Sequence, residues 1–151
     1  MRYSLRRANT ADEEVTFRWV NDPVIRKFSH RGECVSRDDH NYWFSKAIKS
    51  NDHAYYLLES EQGEPVGSIR FDIKGVKAKI NYLIDPKYHG QGLGRTLLKL
   101  GMNSLKNDHP EIDEVFGQVY EKNLASIKIF EKLNYSARKT EGDLLTFASS
   151  L

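Results

Sequence analysis

A mixed α/β fold follows from three features of the sequence. Val66–Ile73 and Val76–Asp85, separated by a turn at Gly75, alternate apolar and polar residues with the period of half-buried strands. After Pro86 the period lengthens, and Leu93, Leu97, Leu98, Met102 and Leu105 fall at helical spacing. The last third then runs strand, helix and strand pair. The order is antiparallel strands followed by strand–helix–strand–helix–strand, an α+β or mixed α/β sheet of about six or seven strands with a crossover helix after the fourth.

Tyr3–Arg7 reads as the first strand. Thr10 with Glu13 three residues on is a capping-box pattern, and Asp12, Glu13 and Glu14 suit the positive end of a helix. Val15 and Trp19 give that helix an apolar side, and Asn21-Asp22-Pro23 ends it, because a residue before proline avoids helical angles. Ser36 with Asp39 opens a helix to about Lys49, with Tyr42, Trp43 and Ile48 expected to be partly buried. His53–Glu59 begins a meander, and a polar turn at Ser60–Glu64 leads to its second strand. In the next strand Val76, Ala78, Ile80, Tyr82 and Ile84 share one face, opposite Lys77, Lys79, Asn81 and Leu83. The crossover helix stops near Asn107 and Pro110. Glu114–Tyr120 is a strand, Asn123–Leu133 a helix, and Tyr135–Lys139 with Leu144–Ala148 the closing pair.

With 151 residues and no repeat or linker-like tract, residues 1–151 read as a single domain. The net charge of +2 lacks the basic excess of a nucleic-acid surface. One cysteine, Cys34, precludes an internal disulfide or a cysteine-based zinc site, so no metal is expected. No apolar run approaches the roughly 20 residues that span a bilayer, and Met1–Arg7 lacks a secretory signal's apolar stretch. The expectation is a cytoplasmic protein with no membrane partner, monomeric or homodimeric.

The most informative segment is Gly90-Gln91-Gly92-Leu93-Gly94, between strand and helix. Glycine removes the Cβ that would keep a ligand from the backbone, and a helix N-terminus supplies unpaired N–H groups with about half a positive charge. Between Pro86 and Asn107 there is no Asp or Glu, whereas Lys87, Arg95, Lys99 and Lys106 are basic. A phosphate or pyrophosphate fits that field. The P-loop is excluded because Gly94 is followed by Arg95-Thr96, and the dinucleotide fingerprint because position 95 is not glycine.

His89-Gly90-Gln91-Gly92-Leu93-Gly94 resembles the Arg/Gln-x-x-Gly-x-Gly/Ala pyrophosphate loop of the GNAT family of acyl-CoA-dependent N-acetyltransferases, with His89 in place of Arg or Gln. Asn123-Leu-Ala-Ser126-Ile-Lys-Ile-Phe130-Glu-Lys-Leu-Asn-Tyr135 resembles the family's second motif, in which Glu-Lys-Leu-Gly-Phe follows an aromatic residue. The resemblance covers nearly the whole chain. It implies acetyl-CoA as cofactor, a sheet splayed between strands 4 and 5, often at a β-bulge, and pantetheine in the opening. It further implies backbone contacts from Leu83, Ile84 and Asp85, loop contacts from His89 to Arg95, and a lining of Asn123, Ser126 and Phe130.

Acetyl transfer by direct attack needs a neutral amine, a polarised thioester and a proton for the thiolate. Where many relatives carry a tyrosine this chain has Phe130, which leaves Tyr82 and Tyr120 as candidate acids, or water, or an unprotonated thiolate. For the base, Asn81 is a candidate through a held water, and Asp72 or His30 only if the fold brings them to the slot. The segment Trp19–Ser29, with Asn21 and Arg26, resembles GNAT subgroups acting on amino sugars, polyamines and ribosomal-protein N-termini, and the run His40–Phe44 and the strand Pro65–Asp72, with Arg70, resemble most closely the acetyltransferases of pseudaminic-acid-type pathways. Those act on the 4-amino group of a nucleotide-linked dideoxy sugar. On that reading Trp19 and Trp43 stack on sugar or base, and Arg26, Arg31 or Arg70 pairs a diphosphate. Protein N-termini, polyamines and a catalytically lapsed CoA-binding protein are the alternatives.

Overall fold

A computed structural model describes residues 2–28 and 34–151, without the side chains of 138–141. Seven strands form one sheet: β1 (Tyr3–Arg7), β2 (His53–Ser60), β3 (Pro65–Lys74), β4 (Lys77–Ile84), β5 (Glu114–Tyr120), β6 (Ser136–Glu141) and β7 (Leu144–Ser150). Their order is β1-β2-β3-β4-β5-β7-β6. Every neighbouring pair is antiparallel except β4 and β5, which the crossover helix makes parallel.

That helix, α4 (Leu93–Asp108), buries Leu93, Leu97, Leu98 and Leu105. Gly101 lets it approach the sheet, since a Cβ there would lie 2.8 Å from Ile69 Cδ1. The other face of the sheet carries α1 (Glu13–Val20) and α3 (Arg37–Ala47), joined where Thr16 Oγ1 meets His40 Nε2 at 3.0 Å. Phe44 of α3 packs edge-on to Tyr55 of β2. Helix α5 (Leu124–Lys132) drops Phe130 onto β5, where Gly117 leaves room for the ring.

Several local expectations shift. The first cap is Asn9 with Asp12 rather than Thr10 with Glu13, because Thr10–Asp12 forms a 3-10 turn ahead of α1. Asn21-Asp22-Pro23 does end α1, but Asp22 then caps one further helical turn, α2 (Pro23–Arg26). Tyr42 is exposed, because α3 buries the 40, 44, 47 stripe and residue 42 lies across from it. Val76 is exposed at the hairpin turn just before β4. Ser36 caps α3 through the Asp39 N–H at 3.1 Å, as its position predicts.

The β4–β5 ladder covers only four residue pairs, Lys77↔Glu114 to Ile80↔Gly117. Beyond it β4 stays with β3 as far as Ile84, and β5 stays with β7 as far as Tyr120. The sheet therefore splays between its fourth and fifth strands. No bulge is involved, since β3 and β4 pair without a register shift from Gly67↔Ile84 to Lys74↔Lys77.

The Phe130 ring is held by Phe147 (centroids 5.3 Å) and Tyr135 (4.9 Å), and a Cβ on Gly117 would lie 2.7 Å from its Cζ. A ring so confined cannot swing aside. Gly117→Ala is expected to lower stability by about 1–3 kcal/mol, the usual cost of overpacking, in urea unfolding. An unchanged midpoint would mean that Phe130 is not fixed against β5.

Candidate active site

Strand alternation decides which backbone groups of β4 face the opening. The Asp85 N–H donates to Val66 O at 2.9 Å, so Asp85, Leu83 and Asn81 direct their backbone polar groups towards β3. Tyr82 and Ile84 direct theirs to the side from which β5 has withdrawn. Of Leu83, Ile84 and Asp85, only Ile84 therefore turns its backbone polar groups towards the opening, as does Tyr82. The Ile84 carbonyl accepts from His89 Nε2 at 2.7 Å, and since a carbonyl only accepts, that nitrogen carries the hydrogen. His89 thus ties the loop to the end of β4.

The far end of β4 is pinned away from β5. Asp85 Oδ2 accepts from Trp19 Nε1 at 2.9 Å, and Asp85 Oδ1 caps the following 3-10 turn (Pro86–Tyr88) through the Lys87 N–H at 3.0 Å. Trp19 is only 1% exposed and has no open ring face to stack on a substrate; it braces α1 against the end of β4. Asn21 is similarly committed, holding both backbone groups of Val35 at 2.7 and 2.9 Å.

Gly90 and Gly92 adopt left-handed angles (φ 78 and 75°), and Gly92 is the N-cap of α4. Gln91 and Arg95 are exposed at this end, while the Leu93 side chain turns into the core. Helix geometry leaves the N–H groups of Leu93, Gly94 and Arg95 without intrahelical partners. Gly94 serves packing as well: a Cβ there would lie 2.7 Å from Ile129 Cδ1 of α5 and 3.6 Å from Tyr82 Cε2. Asn123 caps α5 through the Ser126 N–H at 3.3 Å, and Ser126 Oγ hydrogen-bonds the Tyr82 hydroxyl. Phe130 is buried beneath this pair, edge-on to Tyr82 at 6.2 Å, so its ring is core rather than an open lining.

Asn81 and Tyr82 point to opposite faces of β4. Asn81 Nδ2 donates to Asp72 Oδ2 at 3.0 Å, and Asp72 also receives Arg70 Nε at 2.8 Å, Arg70 Nη2 at 3.2 Å and His53 Nδ1 at 2.8 Å. Burial opposes the charge on Asp72, but Arg70 and then His53 outweigh it and hold the carboxyl below its ordinary range. The Arg70 guanidinium lies over the Trp43 ring, 4.7 Å from its centroid. Arg70 is therefore spent on Asp72 and Trp43 rather than open to a diphosphate. Tyr120 ends β5 opposite Leu144 of β7, on the face away from Gly117 and Phe130. His30 and Arg31 lie outside the described residues. The roles of Asp85 and Trp19 as braces, and of Asp72 as a hub, carry no sequence signal, because their partners are 66 and up to 19 residues away.

The family profile of the acetyltransferase (GNAT) domain matches residues 2–136. The chain belongs to that family. An uncharacterised protein of Methanocaldococcus jannaschii is 26% identical over 138 residues, and this chain spans only 28% of its length. A solved domain from that organism superimposes with a TM-score of 0.85 at 22% identity, over 99% of each chain. Spermidine N-acetyltransferase from Vibrio cholerae, in complex with CoA and spermine, gives 0.85 at 17% identity, over 98% of this chain and 95% of that one. Aminoglycoside acetyltransferase AAC(6')-Ib with coenzyme A gives 0.81 at 20% identity, over 99% and 95%. At these identities the likeness establishes the fold.

Asp85→Ala leaves the buried Trp19 N–H without an acceptor, so a loss of about 1–3 kcal/mol is expected in urea unfolding. Asp85→Asn, which keeps an acceptor, is expected to retain most of that stability. Equal stability of all three proteins would mean that Asp85 does not brace Trp19.

Proposed function

We propose that the chain transfers the acetyl group of acetyl-CoA to the primary amine of an amino sugar, the 4-amino group of a nucleotide-linked dideoxy sugar being the leading acceptor. The observation that carries acetyl transfer is the parting of β4 from β5 beside a helix that begins on a left-handed glycine. Pyrophosphate bound at the N–H groups of residues 90–95 would lay pantetheine into the opening, against the outward backbone of Tyr82 and Ile84. Asn123 and Ser126 line the α5 side, and Asn81 faces the acceptor from the other side of β4.

The charge on the Asn81 face supports the acceptor class. A polyamine asks for open carboxylates, yet the one that touches Asn81, Asp72, already receives Arg70, His53 and Asn81. The half-buried Trp43 offers an aromatic surface on that same face. A hollow of about 380 Å³ at the end of β4 is lined by Arg18 and Lys87 as well as Asp22, Glu64 and Asp85. Arg18 pairs with Asp85 there at 3.7 Å, so the lining is of mixed sign and the acceptor reading stands on the Asp72 face.

Release of free thiol from acetyl-CoA tests this against nucleotide-linked 4-amino-4,6-dideoxy sugars, ribostamycin, spermine and N-terminal peptides. Turnover with the amino sugars in preference to spermine and peptides is expected, and preference for spermine would overturn the acceptor assignment. No turnover with any amine, together with tight CoA binding, would favour a catalytically lapsed CoA-binding protein.

The loop has its own test. Gly92→Val places a branched side chain at φ 75° where the anion must approach, and at least a roughly tenfold loss of CoA affinity is expected by calorimetry, with the fold retained by circular dichroism. Gly94→Val is less clean, since it also meets Ile129. An unchanged dissociation constant in Gly92→Val would place the pyrophosphate elsewhere.

A further inference from the structure

We propose that Tyr82 is the general acid of the reaction, donating its hydroxyl proton to the departing thiolate, and that Ser126 positions it. The inference rests on the acetyltransferase reading above. Expelling a thiolate is easier when a proton reaches the sulfur, and Phe130 has none to give.

Three observations single out Tyr82. It is the second residue of β4 past the last β4–β5 pair, Ile80↔Gly117, so it stands at the start of the opening. Its ring points to the α4/α5 side, with Cε2 3.6 Å from where a Cβ on Gly94 would be, in the first turn of α4. Its hydroxyl crosses to α5 and hydrogen-bonds Ser126, one helical turn before Phe130. The phenol thus reaches over the gap from the strand, towards the helix on which Phe130 presents only a ring edge.

The protonation state suits the role. Burial raises the Tyr82 hydroxyl above the ordinary tyrosine range, and the Ser126 hydrogen bond offsets only part of that, so the proton stays on oxygen at neutral pH. In the step itself the amine nitrogen forms a bond to the acetyl carbon and the carbon–sulfur bond breaks. The electron pair leaves on sulfur, which takes the Tyr82 proton. The Ser126 hydroxyl, able to donate or accept, turns to the phenolate. An ammonium acceptor loses two protons on becoming an amide. One returns to Tyr82 through water, replacing that given to sulfur, and the other is released.

Two other phenols compete. Tyr120 lies on the opposite face of β5 from Phe130. Tyr135 packs against Phe130 with its hydroxyl buried and unpartnered, which makes it the natural control.

The test compares wild type with Tyr82→Phe, Ser126→Ala and Tyr135→Phe, using each amine of the panel that wild type acetylates. Tyr82→Phe is expected to lower kcat about 100-fold or more, with KM for acetyl-CoA and the CoA-induced rise in Tm unchanged. Wild-type kcat should fall at high pH as the phenol ionises, and Tyr82→Phe should lack that limb. Ser126→Ala is expected to give a smaller loss and a shifted limb, and Tyr135→Phe wild-type kcat. Full kcat in Tyr82→Phe overturns the proposal, as does a kcat loss confined to Tyr135→Phe. So does loss of CoA binding in Tyr82→Phe, which marks a structural role. If Tyr82→Phe does not fold, the pH limb in Ser126→Ala decides, and an unshifted limb overturns the assignment. Absence of turnover in wild type would instead count against the acetyltransferase reading.

Discussion

Strands β4 and β5 are parallel neighbours for four residue pairs, after which each follows its other partner. That early end to the ladder is the constraint on which the site depends. Parallel pairing requires a crossover, and the crossover helix α4 begins beside the mouth where the strands part. Open backbone groups on β4 and a helix N-terminus therefore meet by topology. Local contacts keep the mouth open: the Trp19 and Asp85 side chains hold the end of β4 towards α1, the Val66 carbonyl holds it to β3, and Phe130 sits on Gly117 below.

The two faces of β4 separate the labour. Tyr82 looks towards α4 and α5, where the glycine-capped helix and Ser126 meet, and Asn81 looks towards the Asp72–Arg70–His53 cluster under Trp43. Successive residues of one strand must point to opposite sides, so the proposed donor and acceptor would approach from different faces of the sheet. The Asp72 carboxylate ties Arg70, His53 and Asn81 together at partial exposure, a network that favours one side-chain geometry. Asn81 inherits its orientation from it, with the amide nitrogen directed at the carboxylate.

Much of this was readable in the amino-acid order. The alternation in 66–85, the leucine spacing after Gly92 and the glycine loop each follow from local chemistry, and each element lies within a few residues of its expected span. Asn134 is a small illustration: it replaces the glycine of the family motif and adopts φ 64°, a left-handed turn that asparagine tolerates. What sequence could not reveal are relations across the fold. Trp19 and Asn21 look like substrate residues until their partners, Asp85 and Val35, are known. Arg70 looks free for a diphosphate until Asp72 and Trp43 are seen to occupy it. Strand parity turns the backbone polar groups of Leu83 and Asp85 towards β3 and those of Tyr82 and Ile84 towards the opening, a direction fixed by the Asp85 hydrogen bond to Val66.

On the proposed reading the β4–β5 opening and the N-terminus of α4 form one continuous cofactor site. A crystal structure with CoA tests it most directly. The account predicts pyrophosphate on the N–H groups between Gly90 and Arg95, pantetheine hydrogen-bonded to the outward backbone of Tyr82 and Ile84, and sulfur within reach of the Tyr82 hydroxyl. CoA bound away from the opening, or β4 and β5 zipped beyond Ile80 and Gly117 in the complex, would contradict it.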